Sequence, residues 1–144
     1  MMNTVAVGTD GSERAAEAVQ FAIDLAKRYD ARLVAISSYR PMSKRRIRTL
    51  QDEAPNDLQW SFNPTHEVES ILTTVKSHAH AAGLDVTTVA GRGDPADVLV
   101  KHAAEQGADV LIVGNKGMQR RLLGSVPNSV THKAPCTVIV VKTA

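Results

Sequence analysis

Gly114-Asn115-Lys116-Gly117 stands directly behind the apolar run Val110-Leu111-Ile112-Val113, and six residues after Gly117 come Gly124-Ser125. A short apolar run rich in β-branched residues reads as a buried strand. Glycines at its end permit positive φ and let a ligand approach the backbone closely. Gly124-Ser125 opens an apolar-periodic stretch that reaches His132. A glycine-rich turn feeding a helix start gathers free backbone N–H groups, which favour an anion such as phosphate. Pro127 removes one of those donors, so the rest come from residues 124 to 126 and Asn128. Ser125 can set its hydroxyl on a phosphate oxygen, or accept a backbone N–H as an ordinary N-cap. Lys116, Arg120 and Arg121 add positive charge beside the turn; solvated surface is their ordinary role. An unadorned strand-to-loop turn with a C-cap glycine remains the simple alternative for the whole segment.

Other polar and glycine residues stand where further apolar runs end. Asp10 follows Thr4-Val5-Ala6-Val7-Gly8, Ser37 and Ser38 end Leu33-Val34-Ala35-Ile36, and Gly91 to Asp94 follow Val86-Thr87-Thr88-Val89-Ala90. Asp10 can accept hydrogen bonds from an amino group or ribose hydroxyls, or help Ser12 cap the helix that follows. His66, His78, His80, His102 and His132 show no metal-ligand spacing. There is no G-x-S-x-G elbow, Walker A loop or G-x-G-x-x-G, and no nucleophile–base pair can be named. A hydrolase reading therefore has no catalytic residues. Arg40, Lys44, Arg45, Arg46 and Arg48 form a basic cluster that Asp52 and Glu53 follow, the pattern of a mixed-charge loop.

The elements that must position these residues alternate. After the first strand, Ser12 caps a helix on which Ala15, Ala18, Val19, Ala22 and Ala26 recur at helical spacing. Leu33–Ser37 is a second strand, and the segment 40–64 has no sustained period. Thr65 can cap a helix with the stripe Val68, Ile71, Leu72, Val75, Ala79 and Ala82, which Gly83 ends. Val86–Ala90 is a third strand. Asp94 as cap and Pro95 at the first helical position start a helix through Val98, Leu99 and Ala103 to Gly107. Strand four is the Val110 run, Ser125 to Lys133 is a last helix, and Thr137–Val141 is strand five. Strands alternating with helices predict a parallel α/β sheet covered on both faces. In such a sheet ligands bind outside the carboxyl ends of the strands, where the strand order reverses. The residues singled out above cluster there, which supports a ligand site more strongly than any one motif.

The bulk numbers narrow the classes. The 144 residues suit one domain, 1–144, and carry a net charge of +2. That charge is too small to imply nucleic acid or an anionic membrane, and aromatics at 3% give no stacking platform. No apolar run reaches the roughly 18 residues of a membrane span. The single cysteine, Cys136, sits among strand-like neighbours as a packing residue and fits a reducing, cytoplasmic setting.

Taken together, Gly-Thr-Asp-Gly-Ser after strand one, the βα order, and Val-Gly-Asn-Lys-Gly-Met…Leu-Leu-Gly-Ser-Val-Pro resemble the universal stress protein family of UspA type. The resemblance covers the whole chain, most specifically Gly114 through Val141. It implies an open five-stranded parallel sheet in the order 3-2-1-4-5, Rossmann-like, and a homodimer formed through strand 137–141. In the family's ATP-binding branch the pattern is G-2x-G-9x-G-S/T. Gly114, Gly117, Gly124 and Ser125 match its fixed positions, but six residues separate Gly117 from Gly124 where the pattern has nine. By the same resemblance Thr9 and Asp10 serve the nucleoside end, and Ser37 lies near the position whose backbone meets adenine. Val113 and Val126 flank the nucleotide, and Arg120 and Arg121 could meet its phosphates. The implied ligand is ATP, or AMP or cyclic AMP if the shorter segment alters the phosphate path, with Mg²⁺ carried on the phosphates. Three functions follow. A nucleotide-binding regulatory or stress protein with little turnover, whose occupancy alters what a partner protein sees, fits the retained residues. A nucleotide-free dimeric interaction module fits the shortened segment, and a slow ATPase lacks an identifiable base.

Overall fold

A computed structural model describes residues 2–40, 64–115 and 125–143. The described residues form strands β1 (Thr4–Gly8), β2 (Arg32–Tyr39), β3 (Val86–Arg92), β4 (Val110–Gly114) and β5 (Thr137–Val141). Between them run helices α1 (Glu13–Tyr29), α2 (Pro64–Ala81), α3 (Pro95–Glu105) and α4 (Ser125–Lys133). The strands make one sheet in the order β3-β2-β1-β4-β5, with every neighbouring pair parallel. This is the order that the resemblance implies.

Strand alternation sorts the apolar side chains into two layers. Val5, Val7, Leu33, Ala35, Val110 and Ile112 pack with Ala18, Ala22 and Ile23 of α1 and Leu72, Val75 and Ala79 of α2. Ala6, Val34, Ile36, Leu111 and Val113 point the other way, into Ala96, Val98, Leu99 and Ala103 of α3 and Val130 of α4. Both faces of the central strands are thereby covered, which is why they read as unbroken apolar runs.

The helix starts follow their local chemistry. Ser12 accepts the backbone N–H of Ala15 and Asp94 that of Asp97, each as an N-cap. Pro95 begins α3, where its missing N–H costs nothing. The same property lets Pro64 begin α2, so Thr65 lies inside the helix and does not cap it. At the far end of α1 the left-handed residue is Asp30, with φ 52°. Gly83 and Gly107 take positive φ after α2 and α3, at 84° and 68°.

Two strands run further than the apolar pattern indicates. β2 continues through Ser38 and Tyr39, and β3 through Gly91 and Arg92, because the ladder pairs Ser38 with Gly91 and Tyr39 with Arg92. Gly91 is thus a strand residue beneath α3 and not part of the turn after it. A Cβ there would collide with Val98 Cγ1 and stand 3.0 Å from the His102 ring. Val98 is β-branched and held to one rotamer in its helix, so it cannot swing clear. Gly91→Ala should cost about 1–3 kcal/mol by overpacking, read as a lowered thermal midpoint; an unchanged midpoint would mean that α3 shifts freely over β3.

Candidate functional site

β2 lies on one side of β1 and β4 on the other, so successive connections leave β1 in opposite directions. The carboxyl ends of β1 and β4 therefore bound the crevice at the switch point, where such sheets bind ligands. The register pairs Val7 with Ile112, and two further steps bring Thr9 level with Gly114.

The turn after β1 is held at every residue. The Thr9 backbone N–H donates to the Ile36 carbonyl at 3.0 Å, and the Ser37 hydroxyl donates to the Thr9 carbonyl at 2.7 Å. Ser37 is only 2% exposed, so that bond is the means by which its hydroxyl is satisfied in the core. The Gly11 N–H donates to Thr9 Oγ1 at 3.1 Å and the Ser12 N–H to Asp10 Oδ1 at 2.9 Å. Gly11 takes φ 81°, and a Cβ on it would stand 2.7 Å from Ile71 Cγ1; both the conformation and the space select glycine. Asp10 is exposed. Its Oδ1 braces the turn, and its Oδ2 makes no hydrogen bond among the described residues. The two roles open for Asp10 in the sequence are thus compatible: one oxygen supports the helix entry and the other has no hydrogen-bond partner among the described residues.

On the β4 side, Gly114 pairs with Val141 of β5. The Asn115 N–H donates to the Val141 carbonyl at 3.0 Å. Its side-chain Oδ1 accepts the Thr143 N–H at 2.9 Å and the Thr143 hydroxyl at 2.7 Å. Val113 is 3% exposed, its side chain within the second core layer; what it presents at the edge is main chain. Val126 is half-buried against that same layer. Ser125 is the first residue of α4, and so does not stand outside the helix as an N-cap does. Lys116, Gly117, Arg120, Arg121 and Gly124 lie outside the described residues.

At the β2–β3 side of the edge, Arg40 Nη2 reaches Asp94 Oδ1 at 2.7 Å. This joins the end of β2 to the start of α3. Lys133 at the end of α4 meets Asp97 of α3 at 3.1 Å. Both pairs are exposed, and each stabilises by only about 0–1 kcal/mol. Lys44, Arg45, Arg46 and Arg48 lie outside the described residues.

The contribution of α2 to this edge has no signal in the sequence pattern. A cavity of about 270 Å³ adjoins the Thr9–Ser12 turn, lined also by Ile71, Thr74 and His78. The close approach of Gly11 to Ile71 belongs to pairing between distant segments, which periodicity cannot reveal. Among the described residues no group of three His, Cys, Asp or Glu could hold a metal ion. No helix among them is long and apolar enough to cross a membrane. Burial pushes the Cys136 thiol up, and the charge of Asp109 adds to the effect. Cys136 packs against the second core layer, the packing role expected for it, and a thiol so placed is a poor nucleophile.

The chain matches the model of the universal stress protein family over residues 1–142. It is similar to a universal stress protein of Mycobacterium tuberculosis, with 39% identity over 146 residues that cover 97% of this chain and 96% of that protein. Its structure is similar to that of a universal stress protein crystallised in complex with cAMP. There the TM-score is 0.74 and the identity 33%, over 99% of this chain and 98% of the other. A universal stress protein family member from Arabidopsis thaliana with AMP bound superposes with TM-score 0.71 over 99% of this chain and 92% of its own, at 17% identity. At that identity the likeness bears on the fold alone. The family match over residues 1–142 and the whole-length similarity agree: this chain belongs to the universal stress protein family.

Proposed function

We propose that this chain binds an adenine nucleotide in the crevice between the carboxyl ends of β1 and β4. It works there as a cytoplasmic regulatory homodimer of the stress response, with little or no turnover. The observation that carries the reading is the braced Thr9–Asp10 turn beside Gly114 at the switch point. A ligand meeting this turn orders nothing new on the β1 side, and such preorganisation raises affinity. Asp10 takes the nucleoside end, the main chain at Ser37 and Val113 flanks the base, and the segment from Gly114 to Ser125 takes phosphate. Arg120 and Arg121 supply charge to any terminal phosphates.

The family's glycine pattern points to ATP, with Mg²⁺ held on its phosphates. The six-residue segment between Gly117 and Gly124 favours a nucleotide with a single phosphate, AMP or cyclic AMP. The 33% identical relative solved with cAMP supports the same preference. Pairing of two copies through β5 would cover an apolar edge strand on which Val140 is 40% exposed. Neither nucleic acid nor membrane is a partner in this reading; occupancy of the site alters the surface that a regulatory protein meets.

The test uses protein purified without added nucleotide, denatured so that any released small molecule can be identified by chromatography and mass. AMP or cyclic AMP near one per chain supports the single-phosphate form, and ATP supports the triphosphate form. An empty protein that also takes up none of the three on titration overturns the proposal in favour of a nucleotide-free dimer.

A further inference from the structure

The main chains of β1 and β2 stay bonded just past the end of β1. Gly8 stands opposite Ile36, and the Thr9 N–H still donates to the Ile36 carbonyl at 3.0 Å. In a parallel ladder the next rung would run from the Ser38 N–H to the Thr9 carbonyl. That rung is not made. The Thr9 carbonyl accepts the Ser37 hydroxyl at 2.7 Å, and among the described residues no main-chain N–H donates to it. Ser38 itself is still extended, since β2 continues to Tyr39. Along an extended strand with trans peptides, the carbonyl of one residue and the N–H two residues on point to the same side. The Ile36 carbonyl faces β1, so the Ser38 N–H faces that way too, where the Thr9–Asp10 turn leaves the sheet. Ser37 is 2% exposed, whereas Ser38 is only half-buried.

We infer that Ser37 is a positioning residue for the nucleoside end of the site: by holding the Thr9 carbonyl, its hydroxyl ends the β1–β2 ladder and leaves the Ser38 N–H for an acceptor on the base. This role rests on the proposed adenine-nucleotide site. Without the hydroxyl, the Thr9 carbonyl takes the donor that the register offers, the Ser38 N–H, because main-chain carbonyls at a packed edge find partners. The ladder then gains a rung, and the donor is spent inside the protein. Left free, that N–H also selects the base. The pyrimidine-ring nitrogen beside the amino group of adenine is an acceptor. In hypoxanthine the same nitrogen carries a hydrogen and can only donate, so it leaves a site donor unpaired.

The test pairs calorimetric titration of the full chain, with adenosine and separately with inosine, with hydrogen exchange of the Ser38 amide in the ligand-free protein. Ser37→Ala removes the hydroxyl; Ser37→Thr keeps it. Ser37→Ala should weaken adenosine by about tenfold, the loss of one hydrogen bond, and change inosine by no more than about twofold. Ser37→Thr should bind adenosine within about threefold of wild type. The Ser38 amide should exchange freely in the wild type and slow by about tenfold or more in Ser37→Ala, where the ladder closes on it. Equal losses for adenosine and inosine overturn the inference, since they mean a general loosening of the edge. So does unchanged adenosine affinity in Ser37→Ala. A Ser38 amide as protected in the wild type as that of Thr9, in a chain that binds adenosine, overturns this inference alone. A wild-type chain that binds neither nucleoside overturns the site reading itself and this inference with it.

Discussion

Gly114→Val should fold and lose its adenine nucleotide, with Kd raised by about a hundredfold or more. Gly114 ends β4 opposite Val141, a strand position where valine is at home. Along β4, Val110 and Ile112 face the α1 side while Leu111 and Val113 face α3 and α4. A side chain at residue 114 would follow Ile112 and emerge at the open end of the strand, level with Thr9. An isopropyl group there occupies the space through which a ligand reaches the main chain. Calorimetry gives Kd, and a thermal melt checks the fold. Wild-type affinity in a folded Gly114→Val chain would remove β4's end from the site. Gly114→Ala offers a smaller probe of the same space, with a smaller loss expected.

The largest expected effect on stability is at the other end of the same strand's logic. Leu111 is fully buried on the inner strand β4, within the layer that seats α3 and α4 against the sheet. Leu111→Ala should destabilise by about 3–5 kcal/mol, the lost transfer energy plus the cavity left in a layer that relaxes only partly. For a chain of this size that lowers the thermal midpoint by about 10 °C or more. Lys76→Ala, at an exposed position of α2, should change the stability by about 0.5 kcal/mol or less. Comparable effects for the two would mean that the second layer is not close-packed around Leu111.

Much of this architecture is legible in local chemistry. The boundaries of β1, α4 and β5 follow directly from apolar runs and their punctuation, and Asp94-Pro95 marks the start of α3. The two strands that run past their apolar pattern do so for one cause. Ser38, Tyr39, Gly91 and Arg92 extend β2 and β3 by backbone pairing between those two strands, which is indifferent to side-chain polarity at a sheet edge. Asp30 ends α1 in a left-handed conformation without the glycine that usually signals it. The candidate site divides in the same way. Asp10, Ser37 and Gly114 stand out because they follow apolar runs, and the strand order brings them to one edge. What braces them was hidden: the Ser37 bond to Thr9, the Ile71 contact at Gly11 and the Thr143 bonds to Asn115 all join segments far apart in sequence. Such pairings are fixed by the fold and leave no periodic trace. Gly117, Gly124, Arg120 and Arg121 lie outside the described residues, so their part in the site rests on the glycine spacing.

The most direct measurement of the central claim is the set of backbone amide resonances that move when cyclic AMP is added. The account predicts saturable shifts at one nucleotide per chain, largest at Thr9, Asp10, Ser37 and Gly114, which the sheet order brings to one edge, and at Val126 at the start of α4. Shifts confined to Ile71, Thr74 and His78, which line the cavity on the α1–α2 side, would place the ligand elsewhere. No shift with cyclic AMP, AMP or ATP would contradict nucleotide binding outright.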